Sequence, residues 1–238
     1  MTNNSNQSVD SKLIALWDII KTLVKIQVRE VIIEHINTQG KDIAQDVCAS
    51  NNTSIAELTD SMSKSIDAGS SKHKLWHVES VVRELYHSDP VHLNALRAAS
   101  PAHKYLEPSA LEALLRVKEL GGKNITYTDG VNLLEIISLP TGTSIQALIH
   151  FTISGRNFPE LNDKTDPLTY SGIRLLLEKK GITHIDFYVD DSRKSCESSN
   201  KAGLKTYYYN PNSKLFLPES GICTVPSLVY IPELGWLK

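Results

Sequence analysis

The hydrophobic pattern of the chain changes at Gly121-Gly122. Before this pair, apolar residues recur mostly at helical spacing, and there are two tyrosines and no phenylalanine. After it, seven tyrosines and all four phenylalanines occur in short apolar runs between glycines, as in strands and their turns. We therefore predict an α/β or α+β protein with a disordered start (1–10), a mostly helical region (11–120) and a strand-rich α/β domain (121–238).

The segment 11–38 contains no glycine or proline. Its apolar residues recur at three- and four-residue steps, which predicts one long helix. The apolar stripe is wider than one helix face, so such a helix must be buried by several partners. Two arrangements remain open: burial within the chain, or a homo-oligomer formed through residues 11–38.

Proline and glycine positions divide the rest of the chain into short elements. Further helices are predicted at 53–67, 74–86, 92–99, 109–120, 168–180 and 191–201. Strands are predicted at 125–127, 131–138, 145–153, 184–189, 205–209 and 227–231. Short connections between the first three strands favour antiparallel hairpins, whereas the alternation of helices and strands from residue 168 onward favours parallel pairing.

Charge and composition narrow the function classes. A formal net charge of -2 and a pI of about 6.4 argue against a nucleic-acid-binding protein that relies on bulk electrostatic attraction. No apolar run approaches the roughly 18 residues of a membrane span. The first eleven residues have neither the basic start nor the apolar centre of a signal peptide. We therefore expect a cytoplasmic protein without a membrane partner.

Four short motifs follow one another between residues 164 and 211. Lys-Thr-Asp-Pro, from Lys164, precedes a predicted helix, and Lys180-Gly181-Ile182 ends it. Val189-Asp190-Asp191-Ser192 ends a predicted strand, and Ala202-Gly203-Leu204 leads into the next one. In this order, the motifs resemble the C-terminal half of the haloacid-dehalogenase-like (HAD) hydrolases.

This resemblance implies a phosphate-handling site. Two carboxylates at the C-terminal end of a parallel strand lie at the crevice where α/β sheets bind ligands, and such oxygens suit Mg²⁺. By resemblance, Asp190 and Asp191 hold Mg²⁺ or support its ligands, and Lys164 contacts phosphate. Thr152 or Ser154 supplies a hydroxyl to the phosphate. The implied substrate is a phosphorylated small molecule.

The nucleophile of that chemistry has no evident counterpart. HAD phosphatases use an aspartate in an Asp-x-Asp motif after their first strand. In the closest string here, residues 125–131, Asp129 corresponds to the second aspartate and Tyr127 to the nucleophile. A phenol cannot replace an aspartyl nucleophile in this chemistry.

Different functions therefore remain open. One is a HAD-like phosphatase or a catalytically degenerate relative of these enzymes. The main alternative is a non-enzymatic, self-associating interaction or regulatory protein, such as a viral accessory protein or a bacterial effector. A nuclease or toxin domain is a third alternative.

Overall fold

A six-stranded parallel sheet forms the centre of the protein. The computed structural model describes residues 12–50, 52–64, 90–128, 132–155, 157–215 and 221–235. The strands are β1 (Ile14–Trp17), β2 (Lys123–Thr128), β3 (Phe151–Ser154), β4 (Phe187–Asp190), β5 (Thr206–Tyr209) and β6 (Ile222–Val225). Their order across the sheet is β3-β2-β1-β4-β5-β6, and every pair is parallel. The α/β class is confirmed.

Helices cover both faces of this sheet. They are α1 (Val28–Asn37), α2 (Lys41–Ser50), α3 (Ile55–Lys64), α4 (Pro90–Ala99), α5 (Ala102–Tyr105), α6 (Ala110–Glu119), α7 (Pro167–Glu178), α8 (Arg193–Lys201) and α9 (Ile231–Gly235). In β1, Ala15 and Trp17 belong to one apolar cluster, together with residues of α1 and α6. Ile14 and Leu16 belong to the opposite cluster, together with residues of α7. Strand β1 is therefore buried on both faces.

The prediction of one helix over residues 11–38 is wrong. Residues 14–17 form strand β1, and helix α1 begins only at Val28. The physical reason is that a strand buried on both faces reads as an unbroken apolar run, which resembles a buried helix. The register places Trp17 beside Thr126 of β2 and Val189 of β4. The N-terminal segment thus supplies a central strand of the sheet.

Most of the apolar residues that suggested self-association are covered within the chain. Leu16, Ile19, Leu23, Val28 and Ile32 are fully buried. They pack against the sheet and the neighbouring helices. Their apolar character is therefore explained by the fold, and a homo-oligomer through this segment stays a prediction without further support.

The predicted antiparallel hairpins are also wrong. Residues 133–136 and 145–148 form 3-10 turns instead of strands. Of the predicted third strand, 145–153, only residues 151–153 join the sheet, in a strand that ends at Ser154. Asn132 and Ser144 cap these turns with their side chains, which favours a turn over an extended segment. The last strand lies at 222–225, and residues 228–235 are helical. The predicted helix 74–86 lies outside the described residues.

Helices α1 and α4 meet through a pair of histidines. Nε2 of His35 lies 3.0 Å from Nδ1 of His92. Burial lowers the pKa of His35, and the neighbouring His92 lowers it further. Because the folded-state pKa is below the unfolded value of about 6.5, the folded protein takes up this proton less readily than the unfolded chain.

We expect this histidine pair to lower the free energy of unfolding of the protein in mild acid. The contribution of His35 is fully present above about pH 6.5 and is lost as the pH falls through the lowered folded-state pKa. Urea unfolding is measured at a series of pH values between neutrality and mild acid. The free energy of unfolding should decrease less steeply with pH in His35→Gln than in the native protein. The exposed His103→Gln variant should keep the native slope. An unchanged slope in His35→Gln would contradict this account.

No helix in the described part of the chain is long and apolar enough to cross a membrane.

Candidate active site

Three carboxylates meet where β1 and β4 end. Asp18 directly follows β1, Asp190 ends β4, and Asp191 comes next. One carboxylate oxygen from each lies within 4.8 Å of the others. The backbone N–H of Asp18 donates to the carbonyl of Val189 at 2.8 Å, so the pairing of the two strands continues to the site. The C-terminal edge of the sheet therefore forms an acidic cluster.

Lys164 lies among these carboxylates. Its ammonium group donates to Asp18 and lies 3.5 Å from Oδ2 of Asp190. The Lys164 side chain is 8% exposed, and those of Asp18 and Asp190 are 6% and 2% exposed. The hydroxyl of Tyr170, in α7, donates to the Lys164 carbonyl at 3.0 Å. Helix α7 thus fixes the backbone from which the ammonium reaches the cluster.

Asp190 is held by donors of its own strand and loop. The backbone N–H of Ser192 donates to Oδ1 at 2.6 Å, and the hydroxyl of Tyr188 donates to Oδ2. Tyr188 and Asp190 are two residues apart in β4, so their side chains share one face of the sheet. The ring of Tyr188 lies edge-on to that of Tyr170, with the centroids 5.2 Å apart. Asp190 therefore has a fixed orientation.

Burial controls the electrostatics of the cluster. It raises the pKa of Asp18 well above the ordinary value; Lys164 opposes this shift, and the charges of Asp190 and Asp191 add to it. Burial, followed by the charge of Asp190, raises the pKa of Asp191 to about 6. Burial also raises the pKa of Tyr188, with Asp190 adding to the effect. Tyr188 therefore keeps its proton and acts as a neutral donor.

The charges and ligand atoms of the cluster fit a divalent cation. One ammonium group faces three carboxylates, which leaves two negative charges to balance when all three acids are ionised. Carboxylate oxygens are the ligands that Mg²⁺ prefers, usually one or two of them together with water. Asp191 is half-buried, so a hydrated ion has access to the cluster from its side. The residues present are therefore suited to Mg²⁺.

The structure brings together three of the residues singled out from the sequence: Lys164, Asp190 and Asp191. It does not bring Thr152 to them. Strand β2 separates β3 from β1. The Thr152 hydroxyl is hydrogen-bonded to the Thr126 hydroxyl at 2.9 Å and accepts from the Gln146 amide at 3.3 Å. The phosphate-binding role of Thr152 stays a prediction.

Three further positions were singled out from the sequence: Asp129, Tyr127 and Ser154. Asp129 lies outside the described residues. Tyr127, which the HAD resemblance places at the nucleophile position, is fully buried, and its hydroxyl donates to the carbonyl of Leu161. Ser154 ends β3, and its hydroxyl accepts from the N–H of Asn157 at 3.3 Å.

Sequence reasoning missed Asp18 because it assigned this residue to a helix. A usable signal was present in the string Leu-Ile-Ala-Leu-Trp-Asp, a five-residue apolar run that ends in a carboxylate. Such a run is typical of a buried parallel strand with a site residue at its C-terminal end. Thr22 was missed for the same reason, and its hydroxyl accepts from the backbone N–H of Asp191 at 3.0 Å.

If the cluster holds Mg²⁺, we expect Tyr188→Phe to weaken its binding by about tenfold, the usual order for loss of an outer hydrogen bond that keeps the residues around a metal in place. The change removes the donor to Asp190 and keeps the buried ring. Isothermal titration calorimetry measures the effect directly. Tyr207→Phe is the matched control, because Tyr207 is also a buried strand residue and its hydroxyl has no hydrogen-bond partner among the described residues. Equal affinities in the two variants would rule out this role for Tyr188.

Sequence comparisons identify no relatives of this chain. No family model matches it, and no curated protein matches its sequence. Comparison of structures does find proteins of similar fold.

The UTR4 protein of Saccharomyces cerevisiae is 10% identical, with a TM-score of 0.56 over 90% of this chain and 97% of the other. A HAD phosphatase from Thermococcus onnurineus is 16% identical, with a TM-score of 0.55 over 93% and 97%. The magnesium-bound HAD-hydrolase YfnB from Bacillus subtilis is 12% identical, with a TM-score of 0.50 over 93% and 97%. The likeness thus extends far beyond residues 164–211, and the chain has the fold of the HAD-superfamily hydrolases.

Proposed function

We propose that this protein is a Mg²⁺-dependent hydrolase of phosphorylated small molecules, with Asp18 as its nucleophile. The observation that carries the proposal is the position of Asp18: it follows a central strand and lies against Lys164, Asp190 and Asp191. A carboxylate at this edge of a parallel sheet faces the crevice where such folds bind ligands. The HAD-like fold supports the same assignment.

The reaction proceeds in two steps. A carboxylate oxygen of Asp18 attacks phosphorus, so that a bond from oxygen to phosphorus forms and the bond from phosphorus to the leaving oxygen breaks. Water then attacks the aspartyl phosphate, which releases inorganic phosphate and restores the carboxylate. The ammonium of Lys164 lies beside Asp18 and stabilises negative charge on the phosphoryl oxygens as the reaction advances.

Asp18 and Asp191 would hold the magnesium ion, with Asp190 beside them. When bound, the ion neutralises charge on the phosphoryl oxygens. Asp190 accepts from Tyr188, Ser192 and Lys164, so its main task in this proposal is to position Lys164. For the phosphate-binding hydroxyl, Thr128 is a better-placed candidate than Thr152, because it ends β2, the strand next to β1.

Hydrolysis of 4-nitrophenyl phosphate with and without Mg²⁺ tests the proposal. We expect turnover that requires Mg²⁺ and saturates with it, and calorimetry should detect Mg²⁺ binding in the absence of substrate. Asp191→Asn should weaken that binding. The exposed Asp42→Asn, the same chemical change on helix α2, should leave it unaltered. A protein that neither binds Mg²⁺ nor hydrolyses the ester would refute the assignment.

The residue two positions after Asp18 is Ile20, so the second aspartate of the Asp-x-Asp pattern is missing. Ile20 packs against the apolar cluster and has no proton to give. The leaving group must therefore depart without a proton from this position, which favours aryl over alkyl phosphates.

We expect Ile20→Asp to raise the hydrolysis of ethyl phosphate by about 100-fold, the lower range of general acid catalysis. The rate for 4-nitrophenyl phosphate should rise much less, because its leaving group needs little protonation. Ile20→Asn is the control, since asparagine has the same shape and no acidic proton. An equal gain for both esters, or the same gain with asparagine, would exclude a leaving-group effect.

A further inference from the structure

Lys21 adopts a backbone conformation that side chains rarely adopt. Its φ is 62°, in the left-handed region, and its N–H donates to the carbonyl of Val24 at 2.7 Å. It lies three residues after Asp18, in the tight turn that follows β1. Glycine would adopt this conformation without strain. Strain held next to a reactive group points to a role for the side chain itself.

The Lys21 side chain lines a recess of about 360 Å³ beside the acidic cluster. The turn after β1 forms one wall, with Lys21 and Gln27. The end of β5 and the residues after it form the other, with Tyr208 and Asn210. Asp191 belongs both to this recess and to the acidic cluster. The recess is therefore placed to hold the part of a substrate that lies beyond a phosphoryl group at Asp18.

The positive charge of Lys21 can act on the part of a substrate that enters this recess. Among the described residues that line the recess, Lys21 is the only cation. The carboxylate of Glu107, which also lines it, interacts with Lys25 and accepts a hydrogen bond from Tyr209. Asp191 faces the cluster that suits a divalent cation. Lys21 acts on one of these acids: its charge opposes the burial that raises the pKa of Asp191. In the proposed site a bound Mg²⁺ would neutralise Asp191, which would leave the exposed Lys21 ammonium to a ligand in the recess.

We propose that the recess binds the leaving part of the substrate and that Lys21 selects one carrying its own carboxylate. This inference rests on the proposed function and names its substrate class: small phosphorylated carboxylic acids. A single ammonium matches the single charge of a carboxylate. The side-chain amides of Gln27 and Asn210 supply further neutral donors. A second phosphate group carries a larger charge and would need more cations than the described residues of the recess supply.

Two esters that differ by one carboxylate test the inference: 4-nitrophenyl phosphate and 3-carboxy-4-nitrophenyl phosphate. Their affinities are measured by calorimetry in the Asp18→Asn protein, where turnover does not interfere, with Mg²⁺ in excess to offset the loss of one carboxylate ligand. We expect the carboxylated ester to bind about tenfold more tightly, the ratio that one charge-assisted contact of about 1.4 kcal/mol produces. Adding Lys21→Gly should make the two affinities equal, whereas Lys21→Arg should keep the preference.

The Lys21→Gly variant is suited to this comparison because glycine relieves the strained φ and should fold at least as well as lysine. Equal affinities for the two esters with lysine present, or a preference that survives in Lys21→Gly, would overturn the inference and leave the phosphatase proposal standing. If neither ester binds and the protein with Asp18 hydrolyses neither, the inference and the proposed function both fail.

Discussion

Replacing Asp18 by asparagine is expected to reduce turnover of 4-nitrophenyl phosphate by at least about 10³-fold, as for loss of a covalent nucleophile. The amide has nearly the same shape as the carboxylate, but it does not attack phosphorus. The fold should tolerate the change well. Burial and the nearby acids raise the pKa of Asp18, so removal of its charge relieves a crowded cluster, and Lys164 keeps Asp190 as a partner.

A combined measurement separates chemistry from folding. Steady-state rates are compared with urea unfolding for the native protein, Asp18→Asn and the control Asp42→Asn. We expect Asp18→Asn to be inactive and at least as stable as the native protein, and the control to be unchanged in both respects. Retained activity in a folded Asp18→Asn protein would exclude Asp18 as the nucleophile and would move attention to another group in the cluster.

Replacing Lys164 by methionine is expected to cost about 3–5 kcal/mol of unfolding free energy, as for a buried ion pair that loses one partner. Methionine keeps much of the length and the apolar stem of lysine. It leaves Asp18 and Asp190, both almost fully buried, without the ammonium that faces them. Activity should also fall, because the charge beside the phosphoryl group is lost.

Magnesium ions should restore part of this stability. If the cluster holds Mg²⁺, the ion replaces some of the missing positive charge, so the midpoint of urea unfolding should rise more with Mg²⁺ in Lys164→Met than in the native protein. Lys41→Met, an exposed lysine at the start of α2, serves as the control. A variant as stable as the native protein, with no response to Mg²⁺, would contradict the description of Lys164 as the balancing charge.

The C-terminal half of the site could be predicted because its local signals are strong. Asp166 and Ser192 cap helices α7 and α8 with their side chains. Gly181 and Gly203 follow those helices with φ of 76° and 78°, which glycine adopts readily. Such signals act within a few residues, so they mark where elements begin and end. These capping and turn signals correctly place Lys164 before helix α7 and Asp190 at the end of strand β4.

The other half could not be predicted because its signals are not local. Strand β1 has no turn motif that separates it from the following apolar residues, so its pattern does not distinguish a strand from a helix. The order of the strands depends on pairing between distant segments. The sequence places Thr152 at the end of a strand, but it does not show that β2 lies between that strand and Asp18.

The central position of β1 also has a consequence for synthesis of the chain. Asp18 and Lys164 are 146 residues apart, and the N–H of Ile14 is bonded to a side chain 172 residues away. Strand β1 precedes both of its neighbours in the chain, so its edges stay unpaired until β2 and then β4 have left the ribosome. Pairing over such distances is slow and leaves apolar segments open to aggregation. We expect the nascent chain to depend on chaperones until about residue 190 has emerged.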